Sequence, residues 1–374
     1  MKIAIVNKFY PPVIGGIEYH VRLLAEKLVE FPVVEKVEVI VANDISEWKS
    51  EKVNEKLVIT RVPNWRTVAS TPIAPAFIKY FRTLDADIVH FHFPYPFGDF
   101  AWLLSCMNKP VAITYHSDIL RQKVLNYFYA PIRNMFFSRA DRIIATSPRL
   151  IQCSSVLQKF RDKTVVVPLG INPDKFLSID GLERGQKLKN KYHWQKPVVL
   201  FVGRLVYYKG VEYLVEAFKD IDAQLVMVGK GVLKEKLQDM VKSYCIEDKV
   251  SFYESVSDDE LVAFYHGCDV FVLPSVASTE AYGLVQLEAM VCGKPVISTN
   301  LPTGVPYVNQ HGVTGLVVEP CNVKELAEAI DMLVNNKELR ERFGRQAKER
   351  MLREFTDRSM VAKIVDTYQD ILTC

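Results

Sequence analysis

The sequence lacks any apolar run that approaches the roughly 18 residues needed to cross a bilayer as a helix. Its first apolar segment ends at Val6 because Asn7 and Lys8 follow, so we expect neither a signal peptide nor a membrane span. The seven cysteines are scattered and never form a C-x-x-C pair, which indicates neither a disulfide framework nor a zinc cluster. These absences favour a cytoplasmic protein.

Length and composition indicate a globular protein of two domains. The chain has 374 residues, of which 49% are hydrophobic and 24% are charged. At a prior of roughly 150 residues per domain, this length suggests two domains that each bury a core. The composition is too apolar for a disordered chain, and a fibrous or low-complexity protein is excluded.

Positive charge is concentrated in the first half of the chain. Residues 1–170 carry 22 basic and 15 acidic side chains, and residues 109–163 carry ten basic and three acidic ones. Two interpretations remain open: the bases lie on solvated helix faces, or they form a patch for anionic phospholipid headgroups or a lipid-linked diphosphate. A nucleic-acid partner is not expected, because the sequence has no recognition-helix signature.

Short apolar segments alternate with helical patterns along the chain, which predicts mainly parallel sheets covered by helices on both faces. A Pro/Gly/Asn-rich stretch at residues 168–173 interrupts this alternation and predicts a domain boundary. The predicted strands are residues 2–6, 37–41, 57–60, 88–91, 111–115, 142–145 and 164–167 before the boundary, and residues 198–202, 224–228, 249–253, 270–273 and 295–298 after it.

The segment at residues 275–297 is the most informative in the chain. It places Glu280 in a loop after a strand and Glu288 eight residues later, within a helix predicted to begin near Gly283. The first backbone amides of that helix point outwards and suit a diphosphate. We therefore expect Gly283, Leu284 and Val285 to bind the diphosphate of a sugar nucleotide, Glu288 to accept from ribose hydroxyls, and Glu280 to reach sugar hydroxyls.

This E-x7-E segment resembles the retaining glycosyltransferases of family 4, and the resemblance covers most of the chain. It implies an α/β protein of the GT-B fold, with two Rossmann-like β/α/β domains facing across a deep cleft. The implied domains are an acceptor-binding domain at residues 1–172 and a nucleotide-sugar-binding domain at residues 173–357, with a C-terminal helix at about 358–374 crossing back to the first. The other matching motifs are Gly15-Gly16, DIVHFH at 87–92, YHSD at 115–118, VGR at 202–204, Lys209-Gly210 and SDDEL at 257–261.

Two cations follow the first strand of the second domain. The resemblance implies that Arg204 and Lys209 bind the donor diphosphate. The residues themselves agree, because both lie beyond the carboxyl end of a predicted parallel strand, where ligands of open α/β sheets bind. There they would neutralise the charge that grows on the leaving phosphate, which makes them candidate catalytic groups.

The resemblance also assigns residues of the first domain and the role of Glu280. It implies that the backbone of Gly15 and Gly16 approaches the donor phosphate and sugar, and that His116 positions the transferred sugar. His90 and His92 are interpreted as satisfied core or cleft-wall residues. Glu280 is expected to contact sugar hydroxyls and not to form a covalent glycosyl intermediate of the kind that some glycosidases use.

No metal ion or cofactor is expected. Asp85-Ala86-Asp87 has the spacing of a D-x-D metal clamp, but it precedes a first-domain strand, and the phosphate already has Arg204 and Lys209. The sequence Gly229-Lys230-Gly231 lacks the third glycine of a dinucleotide fingerprint, because Lys234 occupies that position, and is interpreted as a turn lining the nucleotide pocket.

The resemblance implies an enzyme that transfers a hexose, with retention, from a nucleotide-diphosphate sugar to a hydroxyl of a glycan or lipid-linked acceptor in surface-polysaccharide synthesis. Within the family the sequence resembles bacterial surface-polysaccharide mannosyltransferases, which favours GDP-mannose over UDP-sugars as donor. Peripheral contact with the inner membrane face is expected from the basic stretch. The alternatives are a UDP-sugar-dependent transferase with a soluble acceptor, a GT-B sugar-nucleotide epimerase that needs no acceptor, and a non-catalytic sugar-nucleotide-binding protein.

Overall fold

The alternation of strands and helices builds two units, each with its own sheet. A computed structural model describes residues 1–13, 15–69, 71–119, 123–177 and 180–373, with only the backbone for residues 123–126. Unit one is Met1–Leu169 together with Asp357–Cys374, and unit two is Gly170–Thr356. Of the basic stretch, Arg121 and the side chain of Lys123 lie outside the described residues.

The strands of unit one form an eight-stranded sheet and a separate hairpin, and those of unit two form a six-stranded sheet. The strands are β1 Lys2–Val6, β2 Lys36–Ala42, β3 Lys49–Lys52, β4 Leu57–Val62, β5 Arg66–Val68, β6 Thr71–Ile73, β7 Ile88–Phe93, β8 Val111–Tyr115, β9 Arg142–Ala145, β10 Thr164–Val166, β11 Val198–Val202, β12 Gln224–Val228, β13 Val250–Tyr253, β14 Val270–Leu273, β15 Val296–Thr299 and β16 Gly315–Val318.

The helices cover these sheets. They are α1 Gly16–Leu28, α2 Ala76–Arg82, α3 Pro96–Ser105, α4 Lys123–Arg139, α5 Pro148–Cys153, α6 Ser155–Lys159, α7 Gly181–Lys191, α8 Val211–Ala217, α9 Lys234–Ser243, α10 Asp258–Gly267, α11 Val285–Val291, α12 Val305–Val308, α13 Val323–Asn335, α14 Lys337–Glu354 and α15 Asp357–Thr373. None of the described helices is long and apolar enough to cross a membrane.

The prediction of parallel sheets is confirmed. In unit one the strand order is β10-β9-β8-β7-β1-β2-β4-β3, and all neighbours are parallel except β3 and β4. In unit two the order is β13-β12-β11-β14-β15-β16, with every pair parallel. The central strands are buried along their whole length, as expected for strands covered on both faces.

Four strands were not predicted: β3, β5, β6 and β16. All residues of β3 and β5 are exposed, so these strands carry no apolar run that a sequence pattern could reveal. β5 and β6 pair as an antiparallel hairpin, and the preceding Trp65 is 71% exposed. The hairpin therefore presents a large aromatic side chain to solvent.

The last helix completes unit one. α15 packs against α1 and buries Val361, Ile364 and Tyr368, which are spaced three and four residues apart along one helix face. The Tyr368 hydroxyl lies 2.6 Å from Nδ1 of His90 on β7, so the helix is tied to the centre of the sheet by a buried hydrogen bond.

Candidate active site

The loop after β11 carries Arg204 and Lys209, and a neighbouring turn holds it in place. The Leu205 amide donates to the carbonyl of Lys230 at 2.8 Å. A Cβ added at Gly229 would lie 2.0 Å from the Gly203 carbonyl oxygen, so only glycine permits this close approach. The turn at residues 229–231 therefore supports the loop that carries both cations. Its predicted role in lining a nucleotide pocket stays a prediction.

Lys209 and Glu280 form a buried ion pair. Lys209 Nζ lies 2.5 Å from Glu280 Oε2, and each side chain is only 10% exposed. The Ser275 hydroxyl donates to the same carboxylate oxygen at 3.1 Å. Because β11 and β14 are neighbours in the sheet, the loops that follow them meet at its carboxyl edge. The structure thus brings together two predicted site residues that lie 71 positions apart.

Arg204 takes a different environment from Lys209. Its side chain is exposed, and Nη2 donates to the Tyr208 hydroxyl at 2.6 Å. The guanidinium carbon lies 5.8 Å from the centroid of the same ring. A cation held by one aromatic residue, with its other donors facing solvent, suits an anionic ligand such as a diphosphate.

The turn before α11 positions three predicted donor-binding residues. The helix begins at Val285, two residues later than Gly283, which has a left-handed φ of 72°. A Cβ at Gly283 would lie 2.5 Å from Leu273 Cδ2. Within the described part of the chain, no partner accepts from the amides of Gly283, Leu284 and Val285. The first amides of this turn that donate to a backbone carbonyl are those of Gln286 and Leu287.

Glu288 lies half-buried on α11 and is held by a residue that the sequence did not indicate. The Tyr265 hydroxyl on α10 donates to Glu288 Oε2 at 2.6 Å. Burial raises the pKa of Glu288, and the hydrogen bond from Tyr265 opposes that rise. Tyr265 was missed because it lies among the apolar residues of an amphipathic helix, where an aromatic side chain ordinarily fills the core.

In unit one, Gly15 and Gly16 open α1. Gly15 has extended backbone, and a Cβ there would lie 2.1 Å from Glu18 Oε2, because that side chain folds back over the helix start. A Cβ at Gly16 would have nothing within 4 Å. A side chain at position 15 would therefore have to displace the flexible Glu18 carboxylate, whereas position 16 has open space.

His116 belongs to a cluster of buried histidines. It follows β8, and its Nε2 lies 2.9 Å from Nδ1 of His92 on β7. His90 is satisfied as predicted, because its ring nitrogens contact the hydroxyls of Tyr368 and Thr114. The prediction that His92 is also satisfied is wrong, since its Nε2 is buried and has no partner among the described residues. Burial lowers the pKa of His116 well below its usual range, so the imidazole is neutral.

The carboxylates of the D-x-D sequence tie two strand ends together. Asp85 Oδ2 lies 2.9 Å from Lys2 Nζ, and Asp87 Oδ2 accepts from the Lys2 amide at 2.7 Å. Both contacts link the residues before β7 to the start of β1. This position is at the amino end of the strands, whereas His116 lies beyond the carboxyl end of β8.

Comparison with known proteins decides the family. The family model described as "Glycosyltransferase Family 4" matches residues 14–175, and the one described as "Glycosyl transferases group 1" matches residues 185–350. The chain is 37% identical over 295 residues to D-rhamnosyltransferase WbpZ of Pseudomonas aeruginosa, covering 77% of this chain and 75% of that protein. The chain belongs to glycosyltransferase family 4.

Further comparisons agree with this assignment. The chain is 33% identical over 311 residues to O-antigen chain mannosyltransferase C of Escherichia coli, covering 82% of this chain and 81% of that protein. The structure of sucrose-phosphate synthase from Thermosynechococcus elongatus superposes with a TM-score of 0.80 at 23% identity, covering 100% of this chain and 99% of that one. The family 4 chain therefore has the predicted GT-B fold and is a glycosyltransferase.

The space around Gly16 allows a test that separates folding from transfer. Alanine fits this helical position and is a better helix former than glycine by about 1 kcal/mol, so the melting temperature of Gly16→Ala should stay the same or rise. If the backbone at Gly16 approaches the donor, the added methyl group should lower kcat/KM at least about tenfold, the effect of roughly 1.4 kcal/mol. Melting curves and initial rates measure the two quantities. Unchanged rates would show that the backbone at Gly16 does not approach the donor.

Proposed function

We propose that this enzyme transfers a hexose, with retention, from a nucleotide-diphosphate sugar to a hydroxyl of a glycan or lipid-linked acceptor during O-antigen-type polysaccharide synthesis. The observation that supports a nucleotide-diphosphate sugar as donor is the buried Lys209–Glu280 ion pair beside the exposed Arg204. The name of the Escherichia coli relative supports an O-antigen role. Both relatives' names support a sugar of manno configuration, because D-rhamnose is 6-deoxy-D-mannose. GDP-mannose is therefore the proposed donor, ahead of UDP-sugars.

The proposed reaction assigns each charged group a role. The bond between the anomeric carbon and the diphosphate oxygen breaks, and Arg204 and Lys209 neutralise the charge that develops on the leaving phosphate. The acceptor oxygen bonds to the anomeric carbon on the same face, and its proton passes to the departing phosphate. Glu280 accepts hydrogen bonds from sugar hydroxyls, and its ion pair with Lys209 holds the carboxylate in place. Two cationic side chains supply the positive charge, so the proposed reaction needs no metal ion.

The remaining predicted residues bind and position the substrates. We propose that the amides of Gly283, Leu284 and Val285 donate to the diphosphate and that Glu288 accepts from the ribose hydroxyls, with Tyr265 orienting its carboxylate. In unit one, Gly15 and Gly16 let the backbone approach the donor, and His116 positions the sugar as a neutral hydrogen-bonding group. A neutral imidazole suits this role, because it both donates and accepts.

Ligand-dependent melting tests the donor assignment. A ligand that binds only the folded state raises the melting temperature by mass action. We expect GDP and GDP-mannose to raise it more than UDP or ADP, and Glu288→Gln to weaken nucleotide affinity about tenfold or more. Glu235→Gln, an exposed control on α9, should bind as the wild type does. If no nucleotide stabilises the wild type, the donor site is wrong; if UDP alone does so, GDP-mannose is wrong.

A membrane-facing acceptor site is proposed for unit one. Tyr127 and Phe128 on α4 are 77% and 71% exposed, and the same helix ends in Arg139. Exposed aromatic side chains on a helix that also carries basic residues suit the headgroup region of an anionic bilayer. Tyr127→Ser with Phe128→Ser should lower co-sedimentation with phosphatidylglycerol vesicles at least about threefold, and 0.5 M salt should weaken wild-type binding as well. Equal sedimentation of both proteins would contradict the proposal.

A further inference from the structure

Three buried histidines of unit one form a near-regular triangle. The ring centroids of His20 and His92 and those of His20 and His116 are 5.3 Å apart, and those of His92 and His116 are 5.2 Å apart. One nitrogen from each ring lies within 4.8 Å of the others. None of the three side chains is more than 3% exposed. The cluster joins α1, β7 and the residue after β8.

The dimensions of this triangle match a tetrahedral metal site. With metal–nitrogen bonds of about 2.1 Å, three imidazoles place their nitrogens about 3.4 Å apart and their ring centroids about 5.3 Å apart. The observed centroid separations therefore already have the required size. If His92 Nδ1 and His116 Nε2 are two of the ligands, their 2.9 Å contact must open by about 0.5 Å on the same geometry. The candidate nitrogens all lie within 4.8 Å of one another, so a pair at that limit must close to bind one ion.

The hydrogen bonding of the cluster is incomplete without a ligand. Both ring nitrogens of His20 and Nε2 of His92 are buried and have no partner in the described ranges. A buried polar group without a partner costs about 1–3 kcal/mol, so such groups call for an explanation. A neutral imidazole has one lone pair, so coordination removes this cost for the ligating nitrogen of His20, and for His92 when Nε2 is its ligand.

The protonation state of the cluster also suits a metal ion. All three rings are buried, which disfavours the charged imidazolium, and a neutral imidazole is the form that binds a metal. The His90 ring lies beside that of His92, tilted by 31° with centroids 4.6 Å apart, and is itself fixed by Tyr368 and Thr114.

We propose that His20, His92 and His116 bind a divalent transition-metal ion of the Zn²⁺ type, and that the bound ion inhibits transfer. Three imidazoles are a ligand set that favours Zn²⁺, Co²⁺, Ni²⁺ and Cu²⁺ over Mg²⁺ or Ca²⁺. Inhibition follows because the ion occupies a ring nitrogen of His116, which then no longer serves the sugar. Binding is independent of the proposed function, whereas inhibition rests on the proposed role of His116.

Cobalt absorption tests binding without any sugar substrate. Chelator-treated full-length protein, prepared without a polyhistidine tag, should take up one Co²⁺ and develop the visible bands of tetrahedral cobalt, which one equivalent of Zn²⁺ then abolishes. His20→Asn should weaken Co²⁺ affinity at least about tenfold. His193→Asn, at an exposed histidine of unit two, should bind as the wild type does. His92→Asn provides a second variant if circular dichroism shows that His20→Asn is unfolded.

Transfer assays test inhibition separately. Zn²⁺ should inhibit the wild type reversibly, EDTA should restore the rate, and the half-inhibitory concentration should rise at least about tenfold in His20→Asn relative to that variant's own basal rate. Absence of stoichiometric Co²⁺ uptake, or uptake that both variants leave unchanged, would overturn the site. Loss of activity on chelation would overturn the inhibitory role. A protein that binds Co²⁺ but transfers no sugar would count against the proposed function alone.

Discussion

Replacing Lys209 with methionine is expected to lower kcat/KM for sugar transfer by about 10²–10³-fold. This is the usual cost of removing one group that stabilises developing negative charge in a transition state. Methionine keeps most of the apolar stem and removes only the charge, so the buried space around residue 209 stays filled. Initial rates across donor concentrations measure the effect, with Lys242→Met on the exposed surface of α9 as the matched control.

Because Lys209 is paired with Glu280, a second variant is needed to separate loss of catalysis from loss of stability. Lys209→Met leaves a buried carboxylate without its cation, which ordinarily costs about 3–5 kcal/mol of folding free energy. Adding Glu280→Gln removes that uncompensated charge, so the double variant should recover much of the lost stability but none of the lost activity. If the double variant regained wild-type rates, the role of Lys209 would be structural. If the folded single variant kept rates within threefold of the wild type, its proposed role at the phosphate would be wrong.

Asp99→Asn is expected to stabilise unit one increasingly as the pH rises. Asp99 is buried on α3, and Tyr129 of α4 donates a hydrogen bond to one carboxylate oxygen. The other oxygen has no partner among the described residues. Burial raises the pKa of Asp99 to about 8, and the hydrogen bond from Tyr129 opposes this rise. The folded protein therefore keeps this carboxyl protonated under conditions in which the unfolded chain releases the proton.

The sign of the effect follows from proton linkage. Between the unfolded pKa of about 3.9 and the folded pKa of about 8, the native state holds one more proton than the unfolded state, so stability falls as the pH rises. About four pKa units at 1.36 kcal/mol each make this loss on the order of 5 kcal/mol above pH 8. Asparagine has no proton to lose, although its buried amide has its own desolvation cost of about 1–3 kcal/mol.

Chemical denaturation at pH 5 and pH 8.5 measures the difference. The free energy of unfolding of Asp99→Asn relative to the wild type should rise by about 2–4 kcal/mol between these two pH values, which is most of the linkage effect. Asp366→Asn, at an exposed position of α15, should change by less than about 0.5 kcal/mol at both. A relative stability of Asp99→Asn that stayed constant with pH would show that Asp99 titrates normally in the folded protein.

The sequence predicted the sheets well because strands buried on both faces read as continuous apolar runs. Residues 111–115 and 198–202 are such runs, and β8 and β11 have these bounds. The exposed strands β3 and β5 carry no apolar signal, so only their pairing with β4 and β6 reveals them. The resemblance to family 4 also indicated Arg204, Lys209 and Glu280 as candidate site residues.

The family, the two parallel sheets and the loops that carry the charged groups can all be predicted from sequence, because each depends on motifs and apolar patterns within short segments. Which side chains contact each other depends instead on how those segments pack. Lys209 contacts Glu280 because β11 lies beside β14, although β12 and β13 come between them in the chain. His20 contacts the other histidines because α1 packs on the sheet. The sequence of α1 does not predict which residues of the sheet it will contact. Contacts between distant segments depend on strand order and packing, which local sequence does not encode.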